Sequence, residues 1–76
     1  MSIQDQLIEF SIQEIVYMIT SDEHIPVDRA MEVFYNSEVF EKLQDKETGL
    51  YIESPLYVYE LFKDEQKNGR IVQEEE

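Results

Sequence analysis

Residues 3–19 read IQDQLIEFSIQEIVYMI and form the most apolar run of the chain. When this run is wound as a helix at 100° per residue, its large apolar side chains fall on two opposite sides. The stretch therefore predicts a long first helix on which the rest of the chain packs. One side carries Ile8, Ile12, Ile15, Val16 and Ile19, and the other carries Ile3, Leu7, Phe10, Tyr17 and Met18.

The second apolar side raises the question of function, because a surface helix of a globular protein needs only one apolar stripe. Its spacing of 4-3-4-3 resembles a short coiled-coil seam with one charged core position, Glu14. The seam covers about two heptads, which is shorter than a dependable coiled coil. Two arrangements are consistent with this pattern: a helix sandwiched within its own domain, or a helix with one side inward and the other toward another chain.

The chain has 76 residues, the size of one small domain. A chain of this size buries only about 60–65% of its unfolded surface, so its stability margin is thin without a second chain. Its 42% hydrophobic and 12% aromatic residues favour a folded core over disorder. We predict one helical domain over residues 1–72 and an acidic, disordered tail over residues 73–76.

The net charge of −12 comes from 18 acidic and 6 basic side chains. Nucleic acids and anionic membranes are both bound mainly through lysine and arginine, so this charge argues against either partner. It favours a basic protein partner or serves solubility alone. A role as a DNA mimic is a further alternative.

The chain contains no cysteine, which excludes disulfides, thiolate chemistry and zinc–cysteine sites. Asp5 and Glu9 interrupt the apolar start and no basic segment precedes them, so we expect no signal peptide. The apolar run is also too interrupted for a transmembrane helix. We therefore expect a cytoplasmic protein.

Residues 20–25, TSDEHI, are predicted to form a polar break after the first helix. A second helix is predicted over residues 26–35, with Pro26 at or just before the first helical position. Asn36 and Ser37 interrupt it, and Ser37 is suited to cap a short helix over residues 38–44. The alternative is one longer, bent helix. The predicted inward side chains of these two segments are Val27, Ala30, Met31, Phe34, Val39, Phe40 and Leu43.

Residues 45–53 form the predicted main loop, with a turn at Thr48-Gly49. We expect residues 50–52 to be extended and to lay Leu50 and Ile52 over the edge of the core. Ser54-Pro55 is a strong start for a last helix, which runs to about Lys67 and turns Val58, Leu61 and Phe62 inward, flanked by Tyr59. Asn68-Gly69 fits a C-terminal cap, and Ile71-Val72 either docks locally or orders on a partner.

The predicted fold is thus all-α: a small three-helix domain with one short extra helix and an ordered loop near residues 45–53. His24, the single histidine, lies in a polar connection, where a solvated side chain is expected. The carboxylates of Asp45, Glu47 and Glu53 cluster near Gly49 but do not match a calcium-loop spacing. We therefore predict no catalytic residue, no metal, no cofactor and no small-molecule substrate.

Tyr51, Tyr57 and Tyr59 lie close together in the sequence. Tyr57 and Tyr59 point about 160° apart on a helix, so they cannot both be inside. Tyr57, with Leu56, is the one expected to be exposed, and exposed tyrosines favour interfaces. The alternative is a tyrosine that half-covers the rim of the core. The predicted partner interface comprises Ile3, Leu7, Phe10, Tyr17, Leu56 and Tyr57.

The segments AMEVFYNS (residues 30–37) and LQDKETGLYIESPLYVYE (residues 43–60) resemble a group of small bacterial proteins classed as domains of unknown function. The resemblance covers roughly residues 10–65 of this chain. It carries no catalytic residue with it. Some similar small helical proteins are encoded beside toxin genes, so the resemblance implies an antitoxin-like or accessory role.

We predict a non-enzymatic protein-interaction module that forms a homodimer or binds a basic protein. One alternative is a nucleic-acid-associated regulator with a helix-turn-helix-like pair, which would need a basic helix. Another is a small enzyme, which would need a polar pocket with perturbed titratable groups.

Overall fold

The computed structural model of this protein describes residues 2–68. Within that range the elements are α1 (Ile3–Glu23), α2 (Val27–Tyr35), α3 (Glu38–Gln44), two 3₁₀ turns (Lys46–Thr48 and Leu50–Ile52) and α4 (Pro55–Asn68). The described residues form no strand, and the predicted all-α fold is confirmed. The Gly69 cap, the Ile71-Val72 segment and the acidic tail lie outside the described residues.

Helix α1 begins at a serine cap, because the Ser2 hydroxyl accepts a hydrogen bond from the Asp5 N–H at 3.1 Å. The helix continues to Glu23, so the predicted polar break at residues 20–25 starts too early. Polar side chains alone do not end a helix; a left-handed residue does. His24 has φ of 58°, and its N–H donates to the carbonyl of Thr20 at 2.9 Å, which closes the last turn.

The hydrophobic core forms around the first apolar side of α1, as predicted. Ile12 on that side is half-buried and packs against the core. The Phe34 ring meets the rings of Phe40 and Phe62 edge to face, each with centroids 5.5 Å apart, and so joins α2, α3 and α4. The buried apolar residues are Ile8, Ile15, Val16, Ile19, Ala30, Phe34, Val39, Leu43, Leu50, Val58, Tyr59, Leu61 and Phe62.

The turn between α2 and α3 is built on Ser37, which confirms the predicted break and cap. Its buried hydroxyl donates to the Phe34 carbonyl at 2.6 Å and accepts from the Phe40 N–H at 3.1 Å. The carboxylate of Glu65 in α4 also accepts from the N–H groups of Glu38 at 2.8 Å and Val39 at 3.1 Å. The start of α3 is therefore capped twice, once locally and once by α4.

The prediction of an extended triplet at residues 50–52 is wrong. Hydrogen bonds from the N–H of Ile52 to the carbonyl of Gly49 and from the N–H of Glu53 to the carbonyl of Leu50, both 3.0 Å, close this segment into a 3₁₀ turn. Successive side chains of such a turn point in different directions. Leu50 is consequently buried while Ile52 is 70% exposed, so only Leu50 covers the core as predicted.

The segment that joins α3 to α4 is held against the start of α1, as expected for an ordered loop. The Gln4 amide donates to the Tyr51 hydroxyl at 2.9 Å, and the Lys46 ammonium lies 3.0 Å from the Asp5 carboxylate. The hydrogen bond from Lys46, followed by that from Ser2, lowers the pKa of Asp5 below its ordinary value. Helix α4 then starts as predicted, with the Ser54 hydroxyl accepting from the Tyr57 N–H at 3.2 Å.

Candidate protein-interaction surface

The second apolar side of α1 faces away from the core. Ile3 and Tyr17 are each 71% exposed, Phe10 is 52% exposed and Leu7 is 41% exposed. Met18, which the helical wheel placed with them, is instead half-buried against the core. The described residues therefore leave this side of α1 uncovered. We call Ile3, Leu7, Phe10 and Tyr17 the outer face of α1.

A second apolar surface lies between α1 and α2, where the two helices enclose an open groove of about 420 Å³. We call it the α1–α2 groove. Tyr17 belongs both to this groove and to the outer face of α1, so the two surfaces are continuous. The groove is lined by Glu9, Ile12, Gln13, Val16, Tyr17, Val27, Met31 and Tyr35.

The prediction that Val27 points inward with Ala30 and Phe34 is wrong. Val27 is 56% exposed, because it is the first residue of α2 and lines the groove beside α1 rather than lying under it. Tyr35, at the other end of α2, is also exposed. Its ring stacks on the ring of Phe40, with the two centroids 4.7 Å apart. The sequence held a signal for this surface, since residues 27, 31 and 35 follow a four-residue spacing along one helical stripe.

The charge around these surfaces is negative. The 21 residues of α1 include no lysine, arginine or histidine. Glu9 lines the groove and Glu14 lies between Phe10 and Tyr17 on the outer face. Among the described residues, no lysine or arginine lines the groove. An apolar surface with acidic surroundings suits a contact with another protein more than it suits an anionic ligand.

Leu56 and Tyr57, the other two predicted interface residues, are both exposed. They lie in the first turn of α4 and do not line the α1–α2 groove. The structure thus joins Tyr17 of the predicted set to Val27 and Tyr35 and leaves Leu56 and Tyr57 on a different element. The use of all six residues in an interface stays a prediction.

The three clustered tyrosines have different environments, and of these only Tyr57 is exposed. The Tyr51 hydroxyl accepts from Gln4, and the buried Tyr59 donates its hydroxyl hydrogen to the Asp22 carboxylate. The Lys63 ammonium lies 4.9 Å from the centre of the Tyr59 ring. Burial raises the pKa of Tyr59 well above its ordinary value, and the bond to Asp22 raises it further.

The residues with catalytic or metal-binding chemistry are dispersed. His24 is exposed at the end of α1, and the Asp45 carboxylate accepts from the Glu47 N–H at 3.0 Å to begin the first 3₁₀ turn. Within residues 2–68, no three acidic or histidine side chains come together as a possible metal site. None of the helices in that range has the length and apolar character needed to span a membrane.

No family model, curated protein or solved structure matches this chain. The resemblance to small bacterial helical proteins therefore stays a prediction from the sequence.

Proposed function

We propose that this protein is a non-enzymatic protein-interaction module that forms a homodimer through the outer face of α1. The observation that carries the proposal is the exposure of four large apolar side chains on one face of one helix. Single exposed apolar residues are ordinary on protein surfaces, whereas several large apolar side chains grouped on one helix face are typical of an interaction site. Phenylalanine and tyrosine are also enriched in the cores of protein interfaces.

Glu14 gives this face a second property, because it lies within the apolar strip, between Phe10 and Tyr17. In coiled coils a polar or charged residue at one core position lowers stability and restricts the register of the partners. Together with the net charge of −12, it makes a dimer of moderate affinity the expected result. Beyond the dimer we propose a basic protein as the target, in an antitoxin-like or accessory role in the bacterial cytoplasm; that role rests on the sequence resemblance.

The charge distribution supports a protein partner over a nucleic acid. In the α2–α3 pair, the short helix α3 would have to enter a DNA groove. Glu38 and Glu41 on α3 are exposed and outnumber its one lysine, Lys42. Phosphate binding would need the opposite balance.

The proposal is tested by the absolute mass in solution, measured by light scattering on a sizing column over a concentration series. We expect the wild-type mass to rise toward twice the 9.1 kDa of one chain. Phe10→Glu should hold the protein at the monomer mass at every concentration, because it places a carboxylate in the apolar strip. Its helical circular dichroism should match that of the wild type. Its free energy of unfolding, compared at concentrations where both proteins are monomeric, should differ by no more than about 0.5 kcal/mol, as for a surface position.

The matched control is a pair of isoleucines of nearly equal exposure, Ile3 at 71% on the outer face and Ile52 at 70% on the second 3₁₀ turn. Ile3→Glu should weaken association and Ile52→Glu should not, although both make the same chemical change. A monomer mass for the wild type at all concentrations would refute the dimer. Unfolding of Phe10→Glu would show that Phe10 belongs to the core and would remove the basis of the proposal.

A further inference from the structure

We infer that the α1–α2 groove binds a basic amphipathic helix of another protein. This inference rests on the proposed function, because it gives the protein-interaction module a specific target and a specific place to bind it. The groove is distinct from the outer face of α1 except at Tyr17, which belongs to both.

The shape of the groove fits a short helix. Helix α2 has nine residues and is therefore about 13 Å long, or about two and a half turns. The floor of the groove is apolar and half-buried to buried, with Ile12, Val16 and Met31, while Tyr17, Val27 and Tyr35 form its exposed rims. Surfaces of this kind, lying between two helices, accept a helix that anchors apolar residues at positions i, i+3 or i+4, and i+7.

The charge around the groove selects the partner. Glu9 lies in the groove lining. Asp28 and Glu32 are exposed on α2, and each directly follows a lining residue, Val27 or Met31, in the chain. Arg29, the one basic residue of α2, lines a separate depression with Ile19 and Phe62. A helix with apolar residues on one side and lysine or arginine along its edges would thus meet the apolar lining of the groove together with Glu9 and the acidic side chains of α2.

The same charge argues against the other occupants. In the groove, a second copy of this chain would offer 18 acidic side chains against 6 basic ones, so acidic surroundings attract it less than they attract a basic helix. Nucleic acid would meet like charge as well. A small apolar ligand would leave much of its surface in water, because three of the lining residues, Tyr17, Val27 and Tyr35, are themselves exposed.

The test uses a fluorescently labelled helical peptide of about four turns with leucine at the i, i+4, i+7 and i+11 positions and lysine elsewhere. Binding to the full-length protein is followed by fluorescence anisotropy. A scrambled peptide of the same composition measures charge attraction alone, and a peptide with glutamate for every lysine reverses the charge. We expect the amphipathic lysine peptide to bind at least about tenfold more tightly than either control peptide.

The position of binding is tested by Val27→Lys, with Ile52→Lys as the matched control, since both replace an exposed apolar residue by a cation. Val27→Lys removes apolar contact and adds a like charge, so it should weaken peptide binding about tenfold or more. Ile52→Lys should change it by less than about twofold. Equal binding of the scrambled peptide, equal effects of the two variants, or no binding at all would each overturn the inference.

Failure of this inference can be distinguished from failure of the dimer. Phe10→Glu lies outside the groove lining and should retain peptide binding while it loses association. A monomeric wild type that binds the peptide through Val27 would refute the dimer and keep the groove. Loss of peptide binding in Phe10→Glu with retention in Val27→Lys would place the peptide on the outer face of α1 and overturn the groove inference.

Discussion

At the scale of single residues, Tyr59 shows how the core of this small domain accommodates a polar atom. The ring is buried and lies parallel to Phe62 with centroids 6.3 Å apart, while the hydroxyl reaches the Asp22 carboxylate at the end of α1. The bond links residues that are 37 positions apart in the sequence. The sequence placed Tyr59 beside the inner stripe of its helix, but it could not supply the partner of the hydroxyl.

We predict that Tyr59→Phe lowers the free energy of unfolding at neutral pH by about 0.5–1.5 kcal/mol, because one intramolecular hydrogen bond is lost. The folded state raises the pKa of Tyr59, so its contribution to stability is complete below the unfolded pKa of about 10. That contribution falls as the pH rises above about 10 toward the folded pKa. Urea denaturation of both proteins at several pH values measures the difference.

Tyr57→Phe is the control for this series, because Tyr57 lies on the same helix as Tyr59 but is exposed. It should change stability by less than about 0.5 kcal/mol, as expected for a surface position. If the difference between wild type and Tyr59→Phe stays constant as the pH is raised past about 10, the hydroxyl does not titrate as described.

At the scale of elements, α3 depends on α4 for its start. A seven-residue helix is too short to be stable alone, so it needs both its caps and its packing. Ser37 as a local cap follows from the sequence, since serine before a helix is a known signal. Glu65 does not, because it reaches the N–H groups of Glu38 and Val39 from 27 and 26 residues further along the chain.

We predict that Glu65→Ala lowers the free energy of unfolding by about 0.5–2 kcal/mol, the usual cost of removing a helix cap. Amide hydrogen exchange should accelerate at Glu38 and Val39 in particular, because their N–H groups lose a carboxylate partner. Asp64→Ala removes the neighbouring, exposed carboxylate and serves as control, with little change in either measurement. Equal effects of the two variants would mean that the Glu65 cap contributes nothing to stability.

At the scale of the whole molecule, the dominant feature is the net charge of −12 on 76 residues. The ion pair between Asp5 and Lys46 joins the segment between α3 and α4 to α1, but both side chains are exposed and the pair is therefore weak. Repulsion among the 18 acidic side chains opposes both folding and dimer formation. The salt response of the protein should reveal this balance.

We predict that raising NaCl from about 10 to 150 mM increases the free energy of unfolding and the fraction of dimer, because salt screens the repulsion over a Debye length that falls from about 30 to 8 Å. Binding of the basic peptide to the groove should weaken over the same range, because the attraction is screened too. Urea denaturation, light scattering and anisotropy measure the three responses. A fall in stability with added salt would mean that attractive pairs outweigh the repulsion.

Local sequence patterns were enough to predict the helices and the core side of α1, because apolar spacing and serine or proline caps act between residues a few positions apart. It also indicated that Ile3, Leu7, Phe10 and Tyr17 form a second strip, since helix periodicity alone fixes which side chains share a face. It failed at the end of α1 beyond Ile19 and at the 3₁₀ turn of residues 50–52. Both are set by local backbone hydrogen bonds that the residue types do not specify, from His24 to Thr20 and from Ile52 and Glu53 to Gly49 and Leu50.

Which apolar side chains are covered by other residues depends on the packing of the whole chain and not on the local pattern. Val27 and Ile52 are as apolar as Ala30 and Leu50, the buried residues of the same two elements, and yet the packing of α2 and of the second 3₁₀ turn leaves them in solvent. The α1–α2 groove likewise exists only because α1 and α2 pack side by side, which places residues 9–17 beside residues 27–35. Periodicity assigns a side chain to a face of its own helix, but burial depends on what the rest of the chain places against that face.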